Sequence, residues 1–288
     1  MYLTEFCERY DYPDEAKKLL TNSYDVLCKN EHFMNVLKEF YENEELTESD
    51  VASRLELIRS ETGINKYTVS LLFYILLSKQ LKIIYDNLGI DEVIFYTSMD
   101  DLRCKLFECH EVFGIWGSFV PGWLYGFFRL KRFGIGRLQF ELSEYGGKDI
   151  CVSGKLVQKG QRVINCHIPS SGKPFDKPAR AEAYKKAYEF FKKEVGEEAV
   201  FMCCSWLMYP KNKIILKEGS NILSFMDDFT IVSSDISESG EDLWRIFGKI
   251  YDGKVETLPE DTSLQRAYKD WLKKGNKSGV GVGVFIYR

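Results

Sequence analysis

Residues that could do chemistry gather in one short stretch. Within Arg162 to Val195, RVINCHIPSSGKPFDKPAR sets a histidine, two serines, a glycine and a lysine inside seven positions. An imidazole titrates near neutrality, so His167 can take a proton from an ammonium nucleophile. The hydroxyls of Ser170 and Ser171, the amide of Gly172 and the ammonium of Lys173 are donors suited to a phosphate. Val163, Ile164, Cys166 and Ile168 read as a strand that runs out at His167, Pro169 to Pro174 as a turn-rich loop, and Asp176 to about Val195 as a helix opened by Lys177-Pro178. Such a junction aims backbone N–H groups and a positive dipole end at one point, which suits an anion such as a pyrophosphate. Pro174 and Pro178 each remove a donor, so a phosphate here would lean on side chains, and an ordinary turn with a solvated lysine fits the same residues.

Other reactive side chains combine poorly. Cys203 and Cys204 are strand neighbours and face apart, as are Cys166 and His167, so neither pair forms a shared metal site or a nucleophile and base. Cys104, Cys109 and His110 lie on one helical stretch without zinc spacing, and no metal site is expected.

The elements that must hold the junction divide the chain. From Pro13 to about Cys109 apolar residues return every three or four positions, with Thr47 and Asp50 spaced as a capping box and Tyr67 to Leu88 apolar on nearly every face until Ser78. These are bundle helices, the last of them central. Gly114 to Phe128 alternates glycines and aromatics and reads as a packed connector between domains, with the boundary near Phe133. From Arg137 the period becomes two: GRLQFELSEY, DICVSGKLV and RVINCHI read as an antiparallel meander, and AVFMCCSWL (199–207) as a buried central strand. Leu216 to Phe229 reads as helix, Thr230 to Val232 as the start of a strand, and Thr262 with Gln265 as a second capping box. The tail GVGVGVFIY alternates glycine with branched residues, which admits a close neighbour on one strand face. The fold class is α+β, with a helical domain over 1–132 and a mixed, mainly antiparallel sheet flanked by helices over 133–288.

Composition bounds the function. The 288 residues carry net charge −4, with a pI near 5.6, and lack the basic clusters that nucleic-acid binding requires. Eight cysteines without a CxxC pair point to reduced thiols and a cytoplasmic location. The N-terminus has no signal-peptide pattern, and the apolar run Thr68 to Leu77 is short for a membrane span. A soluble protein with no membrane partner is expected.

The order of strands, loop and helix in the second half resembles the GNAT-type N-acyltransferases. VINCHIPSSGKPF, FMCCSWLMYP and LPEDTSLQRAYKDWLKKGNKSGVGVGV are similar to bacterial acyltransferase-domain proteins that join a helical N-terminal domain to a GNAT-like C-terminal domain. The resemblance implies an N-acyltransferase using acyl-CoA, acetyl-CoA above all, with a small-molecule amine as acceptor. It puts the pyrophosphate at Ser170, Ser171, Gly172 and Lys173, where the family's usual Arg or Gln, two residues, Gly, one residue, Gly or Ala is not kept. His167 would be the base, Glu141 on the first strand a second candidate acting through water, and Tyr209 a donor to the departing thiolate. The alternative is a non-catalytic binding module that keeps the fold.

Overall fold

The computed structural model describes all residues, 1–288, and divides into two compact units, Met1–Gly134 and Ile135–Arg288.

The first unit is helical: α1 (Tyr2–Arg9), α2 (Asp14–Leu27), α3 (Glu31–Glu42), α4 (Glu48–Thr62), α5 (Lys66–Asn87), α6 (Glu92–Phe113) and α7 (Pro121–Phe128), followed by β1 (Arg132–Ile135), which holds the division between the units. A helix apolar on all sides has to be surrounded, and α5 packs against each of the other six. It continues through Ser78-Lys79-Gln80, so by length and composition it could cross a bilayer, which the run from Thr68 to Leu77 alone could not. Ser78 is tolerated inside because its hydroxyl donates to the Ile75 carbonyl at 2.6 Å and lies 2.7 Å from the Tyr2 hydroxyl. The Thr47 and Asp50 capping box forms in both directions at the start of α4. Two expectations change here. The chain is helical from Tyr2, before Pro13, and the aromatic connector is largely α7, a helix of this unit. Its Trp123 Nε1 donates to Asp101 at 2.9 Å and its Tyr125 hydroxyl to the Leu46 carbonyl at 2.7 Å.

The second unit contains β2 (Leu138–Glu144), β3 (Ile150–Val152), β4 (Lys155–Val157), β5 (Arg162–His167), α8 (Lys177–Val195), β6 (Ala199–Ser205), α9 (Asn212–Ile215), α10 (Asn221–Met226), β7 (Thr230–Ile236), α11 (Trp244–Phe247), α12 (Ser263–Lys273) and β8 (Gly279–Tyr287). Its five long strands are ordered β2-β5-β6-β8-β7, parallel only between β5 and β6. The fold is therefore α+β, helices followed by a mixed, mainly antiparallel sheet. The expected meander is corrected: DICVSGKLV folds on itself at Ser153-Gly154, both at positive φ, into the separate hairpin β3-β4, and β2 pairs directly with β5. Leu216 to Phe229 is helical only over Asn221–Met226, after Gly219 at φ +79° and a cap by Ser220. β6 is central, as its continuous apolar character requires.

The sheet has two different faces. One is covered by α8, where Tyr184 packs among Phe140, Phe201 and Phe285 with ring centroids 4.9 to 6.4 Å apart. The other carries Val163, Val200 and Val284 under Val152 and Val157 of the hairpin.

Candidate active site

Strand register assembles the central pair. Glu141 pairs with Asn165 and Gln139 with His167 across β2 and β5, so alternation puts these four on the face away from α8. Glu141 Oε1 lies 2.9 Å from His167 Nε2, while Asn165 Nδ2 lies 3.3 Å from the same oxygen and 3.2 Å from the same nitrogen. The carboxylate and the imidazole are about one-fifth exposed, at 20% and 19%. The two side chains touch directly, so the two residues that the sequence offered as separate candidate bases stand side by side.

The pair stands at a fork. β5 and β6 are joined only at Ile164 with Phe201 and Asn165 with Met202. Beyond those residues Cys166 and His167 pair with β2, and Cys203, Cys204 and Ser205 pair with β8. Two parallel strands that part toward their C-terminal ends expose backbone donors and acceptors that a sheet would otherwise use. A linear amide-bearing ligand can pair with them. Cys166 faces α8, and burial holds its thiol well above the ordinary value, so it is not a nucleophile partner for His167.

From His167 the chain enters residues 168–176. Ser170, Gly172 and Lys173 are exposed and Ser171 half-buried. Gly172 sits at φ +71°, a conformation glycine adopts without strain, and the Lys173 amide donates to Ser171 Oγ at 3.4 Å. Arg137, in the turn before β2, clips the loop. Its Nε donates to the carbonyls of Lys173 and Pro174 at 3.2 and 3.1 Å, and its Nη1 to that of Pro169 at 3.2 Å. At the start of α8, Pro178 has no N–H, and Asp176 Oδ1 accepts the Ala179 amide at 2.9 Å. Two of the first three helical positions thus offer nothing to an anion.

Tyr209 follows the 3₁₀ turn Trp206–Met208 and is buried, 6% exposed. Its ring lies against Gly279, which shares the α8 face of β8 with Gly281 and Gly283, so Tyr209 and the Glu141–His167 pair occupy opposite faces. Burial raises its hydroxyl above the ordinary tyrosine value. The β8 glycines serve a close backbone approach, since Cβ atoms at Gly281 and Gly283 would meet Met208 and Phe229.

Three residues escape sequence reasoning: Asn165, Arg137 and Arg180. Asn165 has a signal, because it stands two positions before His167 in one strand and so shares its face. Arg180 and Arg137 look like surface charges in sequence, and only tertiary structure gives them partners.

Residues 132–285 match the family model described as the GNAT-like C-terminal domain, and residues 1–130 match the N-acyltransferase N-terminal domain. Among solved structures, the chain is similar to an acyltransferase in complex with decanoyl-CoA and teicoplanin, with 20% identity, 99% of this chain and 87% of that chain covered, and a TM-score of 0.76. A mutant acyltransferase in complex with octanoyl-CoA has 20% identity, covers 98% and 86%, and has a TM-score of 0.75. An acyltransferase in complex with decanoyl-CoA has 24% identity over 78% and 67%, with a TM-score of 0.65. No relative among curated proteins matches. At these identities the structural likeness concerns the fold.

Proposed function

The chain belongs to the family of the GNAT-like C-terminal domain, and from that premise we propose that it transfers an acyl group from acyl-coenzyme A to an amine. The observation that carries the reading is the Glu141–His167 pair beside the fork of β5 and β6. Acyl transfer needs an amine lone pair next to a thioester carbonyl, and positioning with a base supplies most of that. The amine nitrogen bonds to the carbonyl carbon, the carbon–sulfur bond breaks, and His167 takes the proton that the nitrogen sheds. Tyr209, kept protonated by burial, returns a proton to the departing thiolate from the α8 side.

The pyrophosphate of the donor is assigned to Ser170, Ser171, Gly172 and Lys173. With Pro178 and Asp176 occupying the helix start, hydroxyls and the ammonium do more of the binding than α8 amides. For the acyl group a medium-length chain is favoured over acetyl, because relatives of this fold hold octanoyl- and decanoyl-CoA.

The test is ligand-linked stability. Decanoyl-CoA at 100 times its dissociation constant stabilises the native state by about 2.7 kcal/mol, visible as a raised Tm, and acetyl-CoA gives a smaller shift. Turnover of decanoyl-CoA with a panel of primary amines then drops in Glu141→Gln. If neither thioester moves the Tm near a millimolar, the reading is wrong.

A further inference from the structure

The second unit has a groove that the reacting atoms do not use. It lies between α12 and the chain from the end of α9 into α10, and it encloses about 690 Å³, inside the range of roughly 300–1,000 Å³ in which small-molecule sites fall. Helix α12 has two apolar stripes. Tyr268 and Leu272 are buried in the core beneath it, while Leu264, Ala267 and Trp271, three and four positions apart, are half-buried along the groove. Ile214, 68% exposed, and Ile222 line the groove from the α9–α10 side. Trp271 is held in place, because its Nε1 donates to the Lys277 carbonyl at 2.8 Å and its carbonyl accepts from Asn276 Nδ2 at 3.2 Å. Charges of both signs border these apolar walls. Arg266 Nη1 is engaged by the carbonyls of Glu260 and Asp261 at 2.7 and 3.0 Å, which leaves Lys217 and Lys274 as the exposed cations, with Glu218 and Asp270 as the acids.

An acyl chain would use the apolar walls and none of these charges. A purine nucleotide uses both: the base stacks on an indole, an exocyclic amine donates to the Asp270 carboxylate, and a phosphate meets the ammonium groups. The groove is also close to the candidate phosphate loop. Ile222 lines it, and three residues further along α10 the Phe225 ring lies 5.0 Å from that of Phe175 at the end of the loop. Three residues of helix rise only about 4.5 Å. We propose that this groove takes the adenosine 3′-phosphate end of coenzyme A, with Trp271 stacked on the adenine and Lys217 and Lys274 on the 3′-phosphate. In an acyl thioester that end lies beyond the pyrophosphate, on the side away from the acyl group, so it follows directly from a pyrophosphate at Ser170 to Lys173. The assignment rests on the acyl-coenzyme A reading and extends it to the far end of the donor.

Calorimetric titration of the full chain with coenzyme A and with 3′-dephospho-coenzyme A reads the phosphate directly. Wild type is expected to bind coenzyme A about fivefold more tightly. Replacing both lysines, Lys217→Ala with Lys274→Ala, is expected to abolish that preference and leave the affinity for dephospho-coenzyme A unchanged. Adenosine 3′,5′-bisphosphate is expected to quench tryptophan fluorescence in wild type and not in Trp271→Phe. A preference that survives loss of both lysines, no quenching in wild type, or quenching that persists in Trp271→Phe overturns the inference, and each is the result expected if the groove holds the acyl acceptor instead. Should Trp271→Phe fail to fold, the lysine pair alone decides. Coenzyme A that fails to bind wild type at all defeats the acyl-transfer reading and this assignment with it, whereas coenzyme A that binds with its preference untouched by the lysines defeats this assignment alone.

Discussion

Removing Arg180 tests how the candidate phosphate loop is anchored. This side chain in the first turn of α8 is wholly buried, 0% exposed. Its Nε donates to Asp228 Oδ2 at 2.7 Å and its Nη2 to Asp228 Oδ1 at 3.2 Å, while Ser224 accepts through its carbonyl at 3.0 Å and its Oγ at 3.1 Å. Nη1 donates to the Phe175 carbonyl at 3.1 Å, which ties the end of the loop to the turn between α10 and β7. Arg180→Met keeps length and apolar stem but strips Asp228 and two carbonyls of their charged donor. Deleting one member of a buried pair costs about 3–5 kcal/mol. The Tyr184 hydroxyl still donates to Asp228 at 3.1 Å, which places the expected loss at the lower end, about 3 kcal/mol. Adding Asp228→Leu removes the stranded charge and should restore stability to within about 1 kcal/mol of wild type. Urea unfolding gives the loss, and hydrogen exchange of the α8 amides localises it, which matters in a chain of two units. Thioester affinity should fall in the single variant because the loop is released. A single variant losing under about 1 kcal/mol, or a double variant no better than the single, would refute the argument.

Three further outcomes follow from burial. The hydroxyls of Tyr12 and Tyr74 are buried without partners, so Tyr12→Phe and Tyr74→Phe should be neutral or stabilising by up to about 1 kcal/mol; a clear drop in Tm would reveal a hidden partner. A Cβ at Gly281 would strike the Met208 carbonyl, and Gly281→Ala should destabilise by about 1–3 kcal/mol, seen as a lowered urea midpoint. Burial pushes the thiols of Cys7, Cys104 and Cys109 from 9.0 up to about 12. Because the unfolded thiols ionise first, their contribution is intact below pH 9.0 and is lost as pH climbs toward about 12; a Tm that stays flat between about pH 8 and 11 would contradict this.

The helices were legible because their signals are local. Thr47 with Asp50 and Thr262 with Gln265 carry the capping information within four residues, and the all-round apolarity of α5 announces a central helix without knowledge of its neighbours. The strands were legible as strands but not in their pairing. Alternation in DICVSGKLV states that the residues are extended, not which strand they meet, and a turn at Ser153-Gly154 closes the segment on itself. Gly114 to Phe128 misled for a related reason: glycines at 117, 122 and 126 look like breakers, whereas Gly117 is required by the Tyr67–Thr68 backbone close beside it, and Gly122 and Gly126 sit inside α7.

The site shows the same division between type and contact. Residue type singles out His167, and register supplies its companions, since a one-residue slip between β2 and β5 would send Glu141 to the α8 face. The phosphate loop is the harder case. Pro169, Pro174 and Pro178 look like defects in a segment meant to donate, because each deletes an N–H. Arg137 draws in the carbonyls of Pro169, Lys173 and Pro174, so two of the prolines contribute acceptors that hold the loop in shape, and a proline can do that without its missing donor. The proline-rich sequence is then a way to stiffen the loop around an internal cation while Ser170 and Lys173 stay exposed. Arg137→Ala separates this from a direct phosphate contact: if the arginine acts only by shaping the loop, the salt dependence of thioester binding should match wild type although affinity falls, whereas a charge that touches phosphate would take part of that salt dependence with it.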